Sequence, residues 1–418
     1  MNVMRSGFDA SRVAALADEP LDWRYKGIPA AWWGRTPAQV CASGADPFDD
    51  GAVGPLCVLT ASALAHNVTT MADWCRLHGV ALAPHGKTHM APQLFVRQLE
   101  AGACAVTVAT ISQVRTYRAF GISDVVLANE LVDAAGLAWL GGELDADPDF
   151  GLVCWVDSVR GVELMTAALT AAGIRRTVDV CVEVGMSGGR TGCRGADAVD
   201  EVAHAAAASE RLRLVGVAGY EAATGHDVTP DAYAEVRSHL RDLRAAVTRL
   251  AGTFESDEIV VTAGGSTYFD AVADELTGGW PVAVRTILRS GCYLTHDDGL
   301  YRRTSPLGGP SGLRPALTVW AQVVSRPEPD LALLTMGRRD VSFDQDLPVP
   351  YGFTDSRVTK LNDQHAYLRL GDRDRDRAAV GSWIEFGISH PCTVFDKWQL
   401  IPVLDDDRRV VDLIRTFF

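Results

Sequence analysis

Between about residues 80 and 290, short apolar runs alternate with alanine-rich stretches of helical period. The runs are residues 80–83, 105–109, 125–128, 152–156, 178–184, 214–217, 259–262 and 284–288, eight in all. Between them lie segments such as GADAVDEVAHAAAA, from Gly195, and YAEVRSHLRDLRAAVTRLAG, from Tyr233. Near-continuous apolar strands joined by helices predict a parallel sheet buried on both faces. Eight such units in roughly 210 residues match the size of a closed (β/α)8 barrel. A doubly wound open sheet is the alternative that the same pattern allows.

After about residue 310 the pattern changes. ALTVWAQVVSR, LALLTMG, AYLRL, SWIEFGI and WQLIPVL are strand-like runs separated by polar turns containing glycine and proline. They predict a second, mostly antiparallel β domain. The expected division is a barrel over residues 55–310, with residues 1–54 and 311–418 forming the β domain. PLCVL, at 55–59, reads as a strand and Ser62 to about Leu77 as a helix, both before the first barrel strand. The N-terminal segment carries Trp23, Trp32 and Trp33 and is expected to pack on one of the two bodies.

Composition narrows the function classes. The 418 residues are 47% hydrophobic and 22% charged, which excludes disordered and collagen-like chains. No apolar run reaches the ~18 residues that span a bilayer. The first twenty residues lack the apolar core of a secretory signal, so a cytoplasmic protein is expected. With 39 basic and 53 acidic residues the net charge is −14, which disfavours nucleic acid and anionic membrane as partners. Of nine cysteines, Cys57, Cys154 and Cys181 lie inside apolar runs, as reduced buried thiols do.

Candidate chemistry collects where strands are expected to end. APHGKTH, Ala83 to His89, follows the first run, and C-terminal strand ends form the active sites of such barrels. Lys87 is the only lysine between Lys26 and Lys360. An arbitrary loop lysine is usually solvated, but one at this position can form an imine if its surroundings favour the neutral amine. A lysine imine points to pyridoxal 5'-phosphate (PLP), which needs a phosphate site. The seventh run ends TAGGSTYFD, with Gly264, Gly265 and Ser266 expected to open a helix whose N–H groups attract an anion. The eighth ends RSGCY, with Gly291 and Cys292 at the turn, and barrels often bind phosphate after their seventh and eighth strands.

GMSGGRTG, Gly185 to Gly192, places Arg190 where it could meet a cofactor oxygen or a substrate carboxylate. Tyr220, after the sixth run, could stack on a cofactor ring. In GISHPCTVFDKW, His390 and Cys392 stand two apart, and on a strand both would point one way. Zinc suits a nitrogen–sulfur pair. Two ligands are too few for a closed structural site, so the pair is either an open catalytic metal site or no metal site. His365 is a further candidate, with a polar core histidine as its default reading.

Taken in order, PHGKTH, TVATISQV, GMSGGRTG, TAGGST, RSGCY and SHPC resemble the D-serine dehydratase / D-threonine aldolase family. These are fold-type III PLP enzymes with an alanine racemase-like barrel. MGRRDVSFDQDLPVP and LNDQHAYL resemble its bacterial amino acid deaminase branch. The resemblance runs from about Pro55 to the C-terminus. It implies a PLP imine at Lys87, phosphate contacts from Gly264, Gly265, Ser266, Gly291 and Cys292, and a homodimer. In this family His-x-Cys marks the dehydratases and His-x-Asp the aldolases, so His390 and Cys392 look like the dehydratase type. The implied activity is metal-assisted conversion of a small β-hydroxy D-amino acid, such as D-serine, D-threonine or D-3-hydroxyaspartate, to a 2-oxo acid and ammonia. Retro-aldol cleavage to glycine and an aldehyde, and racemisation, are the alternatives. Two departures stand out: GMSGGRTG is longer than the usual Gly-x-x-Arg-Thr-Gly, and Gln113 stands where an acidic residue is expected.

Overall fold

The structure is a computed structural model and describes residues 7–418. It divides into two compact units. The first comprises residues 7–9, Met71–Lys87 and Phe95–Gly291. Its eight strands run, in spatial order, Ala81–Leu82, Val284–Leu288, Ile259–Ala263, Leu212–Gly219, Val178–Val184, Gly151–Val156, Asp124–Glu130 and Val106–Val108. Every pairing is parallel. A parallel bridge between His85 and Thr107 joins the two ends of that order, and the sheet closes as the expected barrel. The first strand is only two residues long. Pro84 follows, and a proline has no N–H to extend a ladder.

Side chains alternate along each strand, and the inward set fills the barrel. It includes Ala83, Val126, Val153, Trp155, Cys181, Val215, Ala218, Val260 and Ile287, all buried. The same alternation carried two to four positions further brings Glu130, Asp157 and Glu183 to the C-terminal mouth. Pattern and register therefore decide which side chains can meet there.

The second unit comprises Ala10–Thr70, Thr88–Leu94 and Cys292–Phe418. It is built on a nine-stranded, mostly antiparallel sheet. Leu56–Thr60, which the sequence pattern puts at the start of the barrel domain, pairs here antiparallel with Leu317–Glu328 and parallel with Leu400–Leu404. The N-terminal segment packs on this sheet: Leu21, Tyr25, Ile28, Trp32 and Val40 form one apolar cluster with Leu56, Val58, Leu400 and Leu413. Trp32 is fully buried and donates Nε1–H to Asp50 at 2.8 Å, whereas Trp23 is 75% exposed. Among the described residues no helix is long and apolar enough to cross a membrane.

Candidate active site

Lys87 sits in the turn Gly86–Thr88, just beyond the first barrel strand. The backbone around it is fixed from two sides. Thr107 Oγ1 donates to the Ala83 carbonyl at 2.6 Å, and Tyr117 Oη donates to the Gly86 carbonyl at 3.0 Å. A side chain on Gly86 would collide with the Tyr117 hydroxyl, so only glycine fits there. His85 is held neutral. Burial pushes its pKa well down, and the charges of Lys87, Arg289 and Arg190 push the same way. Its Nδ1 is buried without a hydrogen-bond partner.

Arg289, at the end of the eighth strand, is buried and donates to Thr262 Oγ1 and the Gly219 carbonyl, both at 2.7 Å. Arg190 places its guanidinium 4.5 Å from the Tyr220 ring centroid, so these two predicted residues meet each other. The longer GMSGGRTG segment has a structural explanation. The loop returns to its own strand through a bridge between Val184 and Cys193. Gly192 N–H donates to Asp157 at 3.1 Å, and Arg194 donates to the carbonyls of Thr191, at 2.9 Å, Gly192 and Arg190. Gln113 also has a role. Its Oε1 accepts the Ala109 N–H at 2.8 Å while Thr110 Oγ1 accepts the Gln113 N–H at 3.3 Å, so the pair caps one helix reciprocally. A glutamine serves there as well as an acid.

The glycine turn after the seventh strand differs from expectation. The helix begins at Phe269, three residues beyond Ser266, so Gly264 and Gly265 do not open it. Their N–H groups donate instead to the buried carboxylate of Glu221, at 2.9 and 2.6 Å. Gly264 has a φ of +99°, where a side chain is strained, and a Cβ on Gly265 would stand 3.1 Å from the Tyr220 ring. Ser290 Oγ donates to the Gly265 carbonyl at 2.7 Å and ties this turn to the one containing Gly291. Glu221 escapes a reading of the sequence, because only the fold brings residue 221 beside residue 264.

Opposite in charge is a group of three acids. One carboxylate oxygen each from Glu130, Asp157 and Glu183 lie within 4.8 Å of one another. Both Glu130 oxygens and Glu183 Oε2 are buried without a partner. Burial, and then the Glu183 charge, push the Glu130 pKa up to about 8. Both causes favour the protonated form of Glu130.

The other predicted residues lie in the second unit. The sequence pattern puts His390 and Cys392 on an irregular strand; the structure does not. The strand Trp383–Gly387 has ended, His390 takes a φ of +63°, and Pro391 precedes a short helix, Cys392–Phe395. Proline suits a helix start and not a strand. The His390 N–H donates to Asp297 at 2.9 Å, which holds the turn. His390 Nδ1–H donates to Asp344 at 2.5 Å, and Thr393 Oγ1 donates to the other Asp344 oxygen at 2.8 Å. Burial alone would raise the Asp344 carboxyl, but these hydrogen bonds bring it below the usual range. Cys392 Sγ lies 3.5 Å from Cys292 Sγ and 3.4 Å from Thr88 Oγ1. The hydrogen bond with Cys392, and then burial, push the Cys292 thiol well up. His365 is exposed in a hairpin turn between Arg357–Leu361 and Ala366–Arg369, not in the core.

PLP brings a phosphate dianion, and the first unit fits it. Lys87, Arg190 and Arg289 gather their charges about one buried histidine with an orphaned nitrogen, and the adjacent turn carries only glycines, at Gly264 and Gly265. In the second unit the His390 imidazole has the setting of a metal ligand. An imidazole that ligates a metal usually gives its other ring N–H to a carboxylate, as His390 does to Asp344.

A closed parallel barrel with a lysine at the end of its first strand, in a chain with a mostly antiparallel sheet unit, is the fold of the alanine racemase-like PLP enzymes. A family model described as alanine racemase, N-terminal domain, matches residues 59–296, and one described as putative serine dehydratase domain matches residues 316–404. The chain belongs to the D-serine dehydratase / D-threonine aldolase family of PLP-dependent lyases. It is 30% identical to a D-threonine aldolase of an Arthrobacter species over 78% of this chain and 83% of that one. It superposes on the D-threonine aldolase of Filomicrobium marinum with a TM-score of 0.76 at 26% identity, covering 87% and 94% of the two chains. The D-threo-3-hydroxyaspartate dehydratase of Delftia sp. HT23 shares the fold, with a TM-score of 0.71, 21% identity and coverage of 87% and 97%.

Proposed function

We propose that this lyase eliminates the β-hydroxyl of a small D-amino acid, such as D-serine, D-threonine or D-3-hydroxyaspartate, to give a 2-oxo acid and ammonia. It works with a divalent metal, zinc by preference, as a homodimer in the cytoplasm. The observation that carries this reading is the donor set of the second unit: a thiol, Cys392, and an imidazole, His390, oriented by Asp344. The thiol makes the pair His-x-Cys, the dehydratase type.

PLP, when bound, supplies the electron sink for a carbanion at the substrate Cα. Lys87 would hold it, and the Lys87 amine would take the α-proton. Ser266, Gly291 and the Cys292 backbone receive the phosphate. Gly264 and Gly265 keep that turn free of side chains, and Glu221 holds them in place. Arg289 and Arg190 balance the anionic charge, and Tyr220 keeps Arg190 in position. His390 and Cys392 would hold a divalent ion, which would supply Lewis acidity toward a hydroxyl leaving group. Loss of the α-proton and the β-hydroxide removes one water. Hydrolysis returns it and yields the 2-oxo acid and ammonia.

Retro-aldol cleavage is the second reading, favoured by the relatives. The D-threonine aldolase above and a 3-hydroxy-D-aspartate aldolase of Paracoccus denitrificans, at 28% identity, share this chain's family. Incubation with a panel of β-hydroxy D-amino acids, assayed for 2-oxo acid and for glycine, separates the two. Elimination predicts 2-oxo acid that disappears on chelation and returns with zinc. Glycine and aldehyde alone would establish the aldolase.

A further inference from the structure

Three carboxylates meet at the C-terminal end of the barrel. Glu130 ends the strand Asp124–Glu130, Asp157 follows the strand Gly151–Val156, and Glu183 lies next to the end of Val178–Val184. The three strands are neighbours. In register, Glu130 stands beside Trp155 and Trp155 beside Cys181. Cys181 belongs to the set of side chains that fills the barrel, and Glu183 is two positions further along the same strand, so it turns inward as well. One oxygen from each acid lies within 4.8 Å of the other two.

The oxygens of this group lack partners. Glu183 is 4% exposed, and its Oε2 accepts no hydrogen bond; neither does either oxygen of Glu130. Among the described residues no lysine or arginine forms an ion pair with any of the three acids. The Arg289 charge reaches Glu183, but its N–H groups go to Thr262 and the Gly219 carbonyl. Buried charges are normally paired or bound to a metal, and an orphaned buried oxygen is costly. A single shared proton would join two of the orphaned oxygens and leave the third without a partner.

We propose that Glu130, Asp157 and Glu183 bind a hard divalent cation, of the calcium, magnesium or manganese type, at the mouth of the barrel. An all-oxygen donor set suits those ions, whereas softer metals prefer nitrogen and sulfur. An ion of calcium size holds oxygens at about 2.3–2.6 Å, so two ligands on opposite sides of it are about 4.6–5.2 Å apart and adjacent ones are closer. The three acid oxygens fall inside that span, and water completes the shell. The site uses none of the residues proposed for zinc, and it stands whichever of the two lyase reactions the protein performs. Its role is positioning. Asp157 accepts the Gly192 N–H at 3.1 Å and the Glu183 carbonyl accepts the Cys193 N–H at 2.8 Å. An ion that fixes these two acids also fixes the loop that carries Arg190.

The test is manganese binding to the full-length, PLP-loaded protein in which His390→Asn and Cys392→Ser have silenced the pair in the second unit. Loss of the paramagnetic resonance signal of free Mn²⁺ reports the bound ion. One ion should bind per chain, and calcium or magnesium in excess should displace it. Adding Glu183→Gln, which keeps the shape and removes the charge, should weaken binding by more than about tenfold, since losing even a partner behind a ligand costs about 10–100-fold. Glu130→Gln should do the same. PLP imine absorbance and the circular dichroism spectrum report folding, and Asp157→Asn is the further variant if either glutamine perturbs them. If the starting protein binds no manganese, the acids hold a shared proton only and the proposal is overturned. Manganese bound with equal affinity after Glu130→Gln and after Glu183→Gln would place the ion elsewhere and overturn it too.

Discussion

The two units use their sequences differently. In the barrel, the candidate site residues sit at or beyond the ends of regular strands. Glu130, Glu183, Tyr220, Gly264 and Arg289 occupy or directly follow strand termini, and Lys87 lies in the turn beyond the first strand, so strand period and chain order together place them. In the second unit the chemical groups lie in turns. His390 has a left-handed backbone, Cys392 starts a four-residue helix, and Asp344 lies outside any helix or strand. A barrel fixes its site by topology, and the sheet unit fixes its site by individual hydrogen bonds. The first should tolerate changes in surrounding residues, whereas the second should fail when a single partner is lost.

The largest expected effect is at the barrel lysine. Lys87→Ala should lower turnover by at least about 10²–10⁴-fold, the usual worth of a positioned acid–base group, and remove the borohydride-trapped adduct. Trapping at Lys26, Lys360 or Lys397 would show that topology does not place the reactive amine. Next is the carboxylate behind the histidine. Asp344→Asn should weaken metal binding by about 10–100-fold while the PLP imine spectrum stays unchanged. Equal metal affinity in a competition titration would remove the contrast between the units.

A smaller effect is expected at Glu221. Glu221→Ala leaves the Gly264 and Gly265 N–H groups without their partner, at a cost of about 1–3 kcal/mol each in a buried setting. Thermal denaturation should show the loss, and PLP affinity should fall with it. Stability equal to wild type would mean that the glycine turn does not depend on this carboxylate.

The smallest effect concerns pH. Glu130 is raised from 4.5 to about 8, chiefly by burial and then by the Glu183 charge. Between those values the native state binds more protons than the unfolded chain, so stability falls as pH rises through the window. Glu130→Gln removes that titration. Its melting temperature should drop less than that of wild type between pH 5 and 8. Parallel pH profiles for the two proteins would show that Glu130 is ionised in the fold.

The barrel was legible because its signals are periodic. Val178–Val184 and Val284–Leu288 are apolar runs of strand length, and the chain between them alternates as a parallel sheet requires. HGKTH was singled out because it follows an expected strand end, and the structure places it just beyond the first barrel strand. The rest was hidden for definite reasons. Glu221 meets Gly264 across 43 residues, and Asp344 meets His390 across 46. Both are common acids whose importance depends on the partner. The strand expected at His390 and Cys392 gives way to a helix start at Pro391, after a left-handed His390. Gln113 looked anomalous only because its hydrogen bond to the Ala109 N–H is invisible without the helix it caps.

The most direct test of the elimination chemistry is the product ratio from D-threonine with zinc-loaded protein, read as 2-oxobutanoate and ammonia against glycine and acetaldehyde. The account predicts equal amounts of 2-oxobutanoate and ammonia, little glycine, and loss of both main products on chelation with the PLP imine spectrum preserved. Glycine and acetaldehyde as the main products, or full elimination by metal-free protein, would contradict it.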